Sequence, residues 1–465
     1  MNRTAQPVFV YLVGTGGIGM SALARWYMQA GIRVAGYDKT PGAVTKSLEA
    51  DGMPVIYEDR VNAIPSDFLL PENKEKMWVV FTPAVPTDLS ILEFFRSNGY
   101  QIKKRAEVLG QISTLHKTFA IAGTHGKTTT SAALTHILKH CGNDCTAFVG
   151  GITKNYETNF LFGNSGTMVA EADEFDKSFL KLSPAGAVIT SVEADHLDIY
   201  GSGKELEKSF IEFASIVKHD GPLVVNSKYA HIFKSLPHSI LTYSSHEKSD
   251  FFASDIQASN EGIDFNFNFR KGEKIATHLP VFGIHNIENA IAAGALAYES
   301  GIAPKDICNA LETFTGVVRR FDVRYKNNGQ VLIDDYAHHP DELNALANSV
   351  KLHFPTKKAT IIFQPHLYTR TRDFANGFSS ALSRFDQVCL LDIYPARELP
   401  IPGITSTMLL KNITSPVKAL CERHEVSGFL SDNPSDIIIT AGAGDIETLV
   451  PELIHWLKEK HEKIS

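Results

Sequence analysis

Short apolar runs recur along the chain, and most lead into stretches that read as helix. The first group occupies 8–13, 32–37 and 78–81, and the second 118–122, 167–170, 186–189 and 222–225. The third occupies 331–333, 359–363, 388–391 and 437–440. Continuous apolar runs of this length predict parallel strands covered by helices on both faces. One stretch differs. Ile263, Phe265, Phe267 and Phe269 alternate with Asp264, Asn266 and Asn268, a period of two that predicts a half-exposed antiparallel strand. The grouping predicts an α/β chain of three domains, 1–113, 114–319 and 320–465, and a length of 465 residues agrees at roughly 150 per domain.

Composition narrows the function classes. Hydrophobic residues at 43% and charged residues at 21% allow each domain a core and exclude a disordered chain. Lys+Arg 45 against Asp+Glu 52 leaves a net charge of −7, so no global field draws the chain to nucleic acid or anionic lipid. Any phosphate it binds has to be held by local geometry. The five cysteines, Cys141, Cys145, Cys308, Cys389 and Cys421, form no even disulfide framework. The apolar runs fall far short of a membrane span, and the first residues lack the apolar stretch of a signal peptide. The expectation is a soluble cytoplasmic protein that engages neither nucleic acid nor membrane. Oligomeric state is not legible.

Two glycine loops carry the candidate chemistry. Gly14-Thr-Gly16-Gly17-Ile18-Gly19 follows an apolar run and leads into a helical stretch, and Asp38 ends the next run. Glycines let the backbone approach a diphosphate, and the helix N-terminus supplies unpaired N–H groups. Such a loop suits a nicotinamide dinucleotide, a substrate that carries a nucleoside diphosphate, or simply a tight turn. The second loop, Gly123-Thr124-His125-Gly126-Lys127-Thr128-Thr129-Thr130, is a shortened phosphate loop. Backbone N–H groups cradle phosphates there, Lys127 adds a point charge, and the Thr128 hydroxyl can ligate Mg²⁺. Carboxylates follow two later strands, at Glu171-Ala-Asp173-Glu174-Phe-Asp176 and Glu193-Ala-Asp195-His196-Leu-Asp198. Beside a phosphate loop, such acids are where a nucleotide-bound Mg²⁺ finds ligands. His136, His140, Cys141 and Cys145 match no common zinc spacing.

Taken together, the motifs resemble the Mur ligase family nearly end to end, most closely its alanine-adding branch. The resemblance rests on 14–21, Arg105-Ala-Glu107, 123–130, 171–174, 193–196, His285-Asn286 with Asn289, Arg319-Arg-Phe321, 334–340, Phe363-Gln-Pro-His366 and Gly442-Ala-Gly-Asp445. It implies a Rossmann-like N-terminal domain holding the UDP part of the substrate, a central phosphate-loop domain for ATP and Mg²⁺, and a Rossmann-like C-terminal domain bringing the amino acid. The implied reaction joins L-alanine to UDP-N-acetylmuramate: the carboxylate takes the γ-phosphoryl group of ATP, and alanine displaces phosphate from the acyl phosphate.

By motif match, Gly14, Gly16, Gly17, Ile18, Gly19, Asp38, Thr82 and Ala84 would contact the sugar nucleotide. Gly123, Thr124, His125, Gly126, Lys127, Thr128 and Thr129 would hold the ATP phosphates, Asn286 and Asn289 the adenine, Arg320 the phosphates and Asp335 the ribose. Thr128, Glu171 and His196 would be metal ligands. Lys127, Glu171, His338 and Arg370 would be catalytic, with Tyr336, His338 and His366 beside the acyl phosphate and alanine. Leu367 stands where relatives often carry an arginine, which leaves Arg370, aided by Arg372, for the alanine carboxylate. Three rivals remain: the branch that attaches a recycled tripeptide to the same sugar nucleotide, a nucleotide-gated switch that ligates nothing, and a nicotinamide-dependent oxidoreductase.

Overall fold

The computed structural model describes residues 7–462 except 87, 194–199, 201, 328 and 397, and except the side chain of 461. Its first sheet comprises β1 (Phe9–Val13), β2 (Arg33–Tyr37), β3 (Val55–Ile56), β4 (Met77–Phe81) and β5 (Gln101–Lys104), in the order β3-β2-β1-β4-β5. All neighbours are parallel. The strand order reverses beside β1, so the first glycine loop emerges at a switch point, where α/β sheets open a crevice. Helix α1 (Ile18–Gln29) follows that loop. Helices α2 (Ala43–Ala50), α3 (Ser90–Ser97) and α4 (Arg105–Ser113) complete the layer arrangement. Val10 and Leu12 pack into one buried cluster and Tyr11 and Val13 into another, because successive strand side chains take opposite faces. Both faces are apolar, which is why the run shows no alternation.

The second sheet is built on β6 (Lys117–Ala122), which leads into α5 (Lys127–His140). It adds β7 (Thr146–Thr153), β8 (Thr158–Leu161), β9 (Thr167–Ala172), β10 (Pro184–Ile189), β11 (Leu223–Asn226) and β12 (Ile240–Ser244), ordered β12-β11-β10-β6-β9-β7-β8. The phosphate-loop strand β6 therefore lies between β10 and β9, parallel to both. Strands β13 (Phe251–Ser259), β14 (Gly262–Asn268) and β15 (Lys274–Leu279) continue the sheet order. In β14, Ile263, Phe265 and Phe267 are buried and Asp264 is exposed, as the period-two pattern requires.

The third sheet has the order β16-β17-β21-β18-β19-β20, from β16 (Asp322–Asn327), β17 (Gln330–Asp335), β18 (Ala359–Phe363), β19 (Gln387–Leu390), β20 (Val417–Leu420) and β21 (Ile437–Ala441). Only β16 pairs antiparallel. Ile333, Ile361 and Ile439 fill one face, Leu332, Ile362 and Ile438 the other. Each such side chain contributes roughly 1.5–3 kcal/mol by leaving water.

By internal contacts the chain forms two compact units. The first comprises 1–253, 267–275 and 288–311, the second 254–266, 276–287 and 312–465. The apolar runs appear as strands where expected. The apolar pattern does not reveal β3, β5, β7, β8, β12, β13, β15, β16 and β20. Several are short or edge strands, such as β5 and β20, whose half-exposed residues carry no continuous apolar signal.

Candidate functional site

The first glycine loop turns at Gly14, whose φ of +91° favours glycine and whose missing Cβ leaves room for Val85 and Thr82. Helix α1 then starts at Gly17 with no side-chain cap and no acid in its first turn, which keeps its N-terminal N–H groups available to an anion. Asp38 is already engaged: its Oδ2 accepts from the Gly16 N–H at 2.6 Å. That bond braces the loop. A cavity of about 220 Å³ opens beside it, lined by Gly17, Ile18, Gly19, Thr82, Arg105 and Glu171 among others. Thr82 lies on its wall, whereas Ala84 is solvent-exposed in the turn beyond.

Arg105 has no role that its place in the sequence suggests. It opens α4, lies 3.5 Å from Asp173, and sits so close to Gly19 that a Cβ there would meet its guanidinium at 2.7 Å. It places positive charge between the glycine loop and the carboxylates of β9. Arg25 and Asn159 tie α1 to the second sheet: Asn159 donates to Ile18 O at 2.6 Å, and Arg25 donates to Asn159 at 2.9 Å.

The phosphate loop is braced by residues that follow β10. Thr124 and Ser191 hydroxyls lie 2.9 Å apart, and the His125 N–H donates to Ser191 Oγ at 2.8 Å. Thr190 donates to the Ala122 carbonyl at 3.1 Å and to the His125 carbonyl. Gly123 and Gly126 have φ of +138° and +82°, and a Cβ on them would overlap Thr190 and Asn289 respectively. Helix α5 begins at Gly126 without a side-chain cap. Lys127 bends back under the loop, donating to the Gly123 carbonyl at 2.6 Å and to Glu174 at 2.7 Å. Glu174 is fully buried. Burial opposes the ammonium charge, but Glu174, Asp173 and Glu171 outweigh it and hold Lys127 above the usual lysine value.

Glu171, near the end of β9, accepts from the Gly150 N–H at 2.9 Å. Burial pushes its carboxyl up, with Lys127 and Thr128 opposing. Thr128, Glu171 and Asp173 thus present only hard oxygen donors in one place, and that donor set suits Mg²⁺. His196, expected as a further ligand, lies outside the described residues, as do Asp195 and Asp198. Glu193 is described, and is held by Tyr229 at 2.6 Å and Lys228 at 2.9 Å. Among the described residues no three His, Cys, Asp or Glu cluster as a metal site. His136 contacts the Tyr156 hydroxyl at 3.1 Å.

Asn289 also braces the loop, its Oδ1 accepting from Thr130 at 3.2 Å. In the second unit, Asn286 donates to the Phe282 carbonyl at 2.6 Å.

The second unit gathers the remaining expected residues around the start of the helix Pro340–His353. Arg319 and Arg320 both lie over the Tyr336 ring, at 5.1 and 5.3 Å from its centroid. Arg319 is locked by Asp334 at 3.3 Å and Glu447 at 2.8 Å. Asp335 accepts from the Phe321 N–H at 2.6 Å and the Ala337 N–H at 2.8 Å. Burial raises its carboxyl to about 6 against those bonds and Arg320. His338 Nδ1 lies 2.9 Å from the Tyr336 carbonyl and 3.2 Å from Glu342.

The His366 ring stacks on Tyr394, and its Nδ1 is 3.4 Å from Arg370. Arg372 pairs with Asp373 at 2.7 Å. Leu367 caps the helix Tyr368–Asp373 with a φ of +70°, held by its N–H to the Tyr394 carbonyl at 3.0 Å. Glu342, Tyr394 and Ser191 carry no separate signal in the sequence, because each acts on a partner that spacing alone does not identify; Glu174 stands in the acidic station, but its pairing with Lys127 is set by the fold.

Three family signatures match the chain in order: "Mur ligase family, catalytic domain" at 9–117, "Mur ligase middle domain" at 121–297, and "Mur ligase, glutamate ligase domain" at 319–444. The chain is 45% identical over 447 residues to a UDP-N-acetylmuramate–L-alanine ligase of Parabacteroides distasonis, covering 95% of each. It is 46% identical over 438 residues to the same-named enzyme of Christiangramia forsetii, covering 94% of each. Among solved structures it resembles the UDP-N-acetylmuramate-alanine ligase MurC of Thermotoga maritima, with a TM-score of 0.83 and 27% identity over 97% of this chain and 99% of that one. A murein peptide ligase of Psychrobacter arcticus shares the fold at a TM-score of 0.73 and 21% identity, over 97% and 98% of the two chains.

Proposed function

The chain belongs to the Mur ligase family, and from that premise we infer that it is the ligase that joins L-alanine to the carboxylate of UDP-N-acetylmuramate. The observation that carries this reading is full-length likeness to alanine-adding enzymes. The enzyme is an ATP-dependent, amide-forming ligase of peptidoglycan precursor synthesis. The two glycine loops of one unit support the reading, since the cavity beside the first is lined by Glu171 from the second sheet. A nucleoside diphosphate carried by the substrate, rather than a nicotinamide, suits that continuity.

We assign the substrate diphosphate to the uncapped N–H groups at the start of α1. Arg105 and Thr82 line the path to the reacting carboxylate. The backbone of 123–129 cradles the ATP phosphates. Mg²⁺ held by Thr128 and Glu171 would neutralise phosphate charge. Lys127 sits on a short tether to Glu174, so that its charge is fixed before substrates arrive, the condition under which electrostatic stabilisation is strongest. Two anions have to meet in this reaction, so alignment and charge neutralisation do most of the work. In the second unit Arg320, Asp335 and Asn286 serve the nucleotide, and Tyr336, His338, His366 and Arg370 serve the acyl phosphate and alanine.

Inorganic phosphate release from Mg²⁺-ATP tests the assignment, with UDP-N-acetylmuramate, each of the twenty amino acids, and the tripeptide L-Ala-γ-D-Glu-meso-diaminopimelate. Turnover that requires the sugar nucleotide and is fastest with L-alanine is expected. Turnover with the tripeptide alone would move the chain to the recycling branch, and release without any acceptor would make it a switch.

Arg370→Ala should raise the apparent KM for alanine at least about tenfold, the effect of losing one charged hydrogen bond of roughly 1.5–3 kcal/mol, and leave that for ATP within twofold. Equal alanine KM values in variant and parent would remove Arg370 from the site. Asp335 titrates near 6 in the folded protein, and only its ionised form accepts two ribose hydroxyl bonds. The apparent KM for ATP should therefore rise as pH falls through about 6. Asp335→Asn should lose that dependence; a parent KM flat from pH 5 to 8 would contradict the ribose assignment. The stability sign is opposite: a raised carboxyl favours the fold below its ordinary value of about 4, and that contribution is lost as pH rises through 6.

A further inference from the structure

Glu342 holds the third position of the helix Pro340–His353, where a glutamate ordinarily closes a capping box. It does so here, accepting from the His339 N–H at 3.2 Å and the His338 N–H at 2.9 Å. The same Oε2 lies 3.2 Å from His338 Nδ1, which also faces the Tyr336 carbonyl at 2.9 Å. A carbonyl can only accept, so Nδ1 carries the hydrogen and Nε2 is the basic nitrogen of the neutral ring. A capping residue alone would not need to reach the imidazole.

We propose that Glu342 is a positioning residue for the second half of the ligation, fixing His338 in the tautomer whose Nε2 takes a proton from the alanine nitrogen. The inference rests on the ligase reading above. Alanine attacks as the free amine, its ammonium proton already lost to solvent. As the N–C bond forms, the nitrogen becomes positive. Nε2 of His338 accepts one of its protons, and the bond between the acyl carbon and the bridging oxygen breaks, its electron pair leaving with the phosphate. The imidazolium then returns its proton to water.

The surroundings suit a base. Burial pushes His338 below the ordinary histidine value, so the ring is neutral at pH 7; Glu342 opposes that shift, and Arg370 and Arg320 reinforce it. His366 lies 6.2 Å away ring to ring, and Tyr336 5.2 Å. Among the described residues Glu342 is the carboxylate that acts on the ring, and without it the base weakens further.

Glu342→Gln keeps a side-chain oxygen for the cap but removes the charge. Its kcat/KM for alanine should fall at least about tenfold at pH 7, less than the roughly 10²–10⁴-fold of losing a general base outright. Its acid limb should move to lower pH by about one unit. Hydroxylamine, largely unprotonated at neutral pH, needs no base to trap an acyl phosphate. Hydroxamate formation from UDP-N-acetylmuramate and Mg²⁺-ATP should therefore change less than twofold.

Glu342→Asp keeps the charge on a shorter arm and should retain the parent's acid limb, which keeps the test open if the glutamine variant melts early. Parallel loss of the alanine and hydroxylamine reactions, an unmoved acid limb, or a rise in the KM for ATP through Arg320 at 3.9 Å would each overturn the proposal. A parent enzyme that forms no hydroxamate would overturn the ligase reading, and this inference with it.

Discussion

Lys127→Ala is expected to lower the rate of phosphate release with all three substrates by roughly 10²–10³-fold, the loss typical of removing one preorganised charge donor at a transition state. It should also destabilise the first unit by roughly 3–5 kcal/mol, because Glu174 is left as an uncompensated buried charge. The two effects separate in a double variant. Lys127→Ala with Glu174→Gln should recover most of the urea midpoint and none of the rate, since only the stability loss comes from the orphaned carboxylate. Glu174→Gln alone should keep the lysine but loosen its tether. A single variant with parental turnover would show that the ammonium does not meet the phosphates, and a double variant as unstable as the single would show that the buried pair is not the cause.

Glu171→Gln should act through the metal. Glutamine retains an oxygen but loses the charge that makes a carboxylate a Mg²⁺ ligand, and its amide would oppose the Gly150 N–H that now donates to Glu171. Turnover is expected to fall about 10²-fold, of the order of one lost electrostatic contact. The Mg²⁺ concentration for half-maximal rate should rise more than tenfold, and Mg²⁺-dependent ATP binding measured by calorimetry should weaken in step. Unchanged Mg²⁺ dependence would place the metal elsewhere on the loop. Stability should fall by about 1–3 kcal/mol, the cost of a buried N–H left without its acceptor.

Much of the site is legible in the chain itself, and the reason differs by residue. Gly14 and Gly123 are visible because a turn with positive φ beside a close neighbour admits almost no other residue. Lys127 and Thr128 are visible because a phosphate loop needs its cation and hydroxyl directly after the second glycine. Arg105 belongs to a recognisable motif yet shows no role in it, since nothing next to it in sequence explains its charge; Asp173 comes near only through the fold. Asp38 is expected at the sugar nucleotide, but the structure commits one of its oxygens to Gly16.

What the sequence by itself determined was everything carried by neighbours along the chain. Apolar runs buried on both faces make strands β1, β6 and β17, and glycines at the ends of the first two make the loops. Carboxylates at the end of β9 make a hard-donor station, and the order of these motifs identifies the family. What only the tertiary structure decided was which distant groups complete them: Ser191 and Thr190 behind the phosphate loop, Glu174 under Lys127, Asn289 against Gly126, and Tyr394 on His366. The physical reason is range. A strand or a glycine turn is specified by sterics and burial within a few residues. A buried charge or hydroxyl takes whichever partner the sheet order delivers, and no periodicity in the chain records that choice.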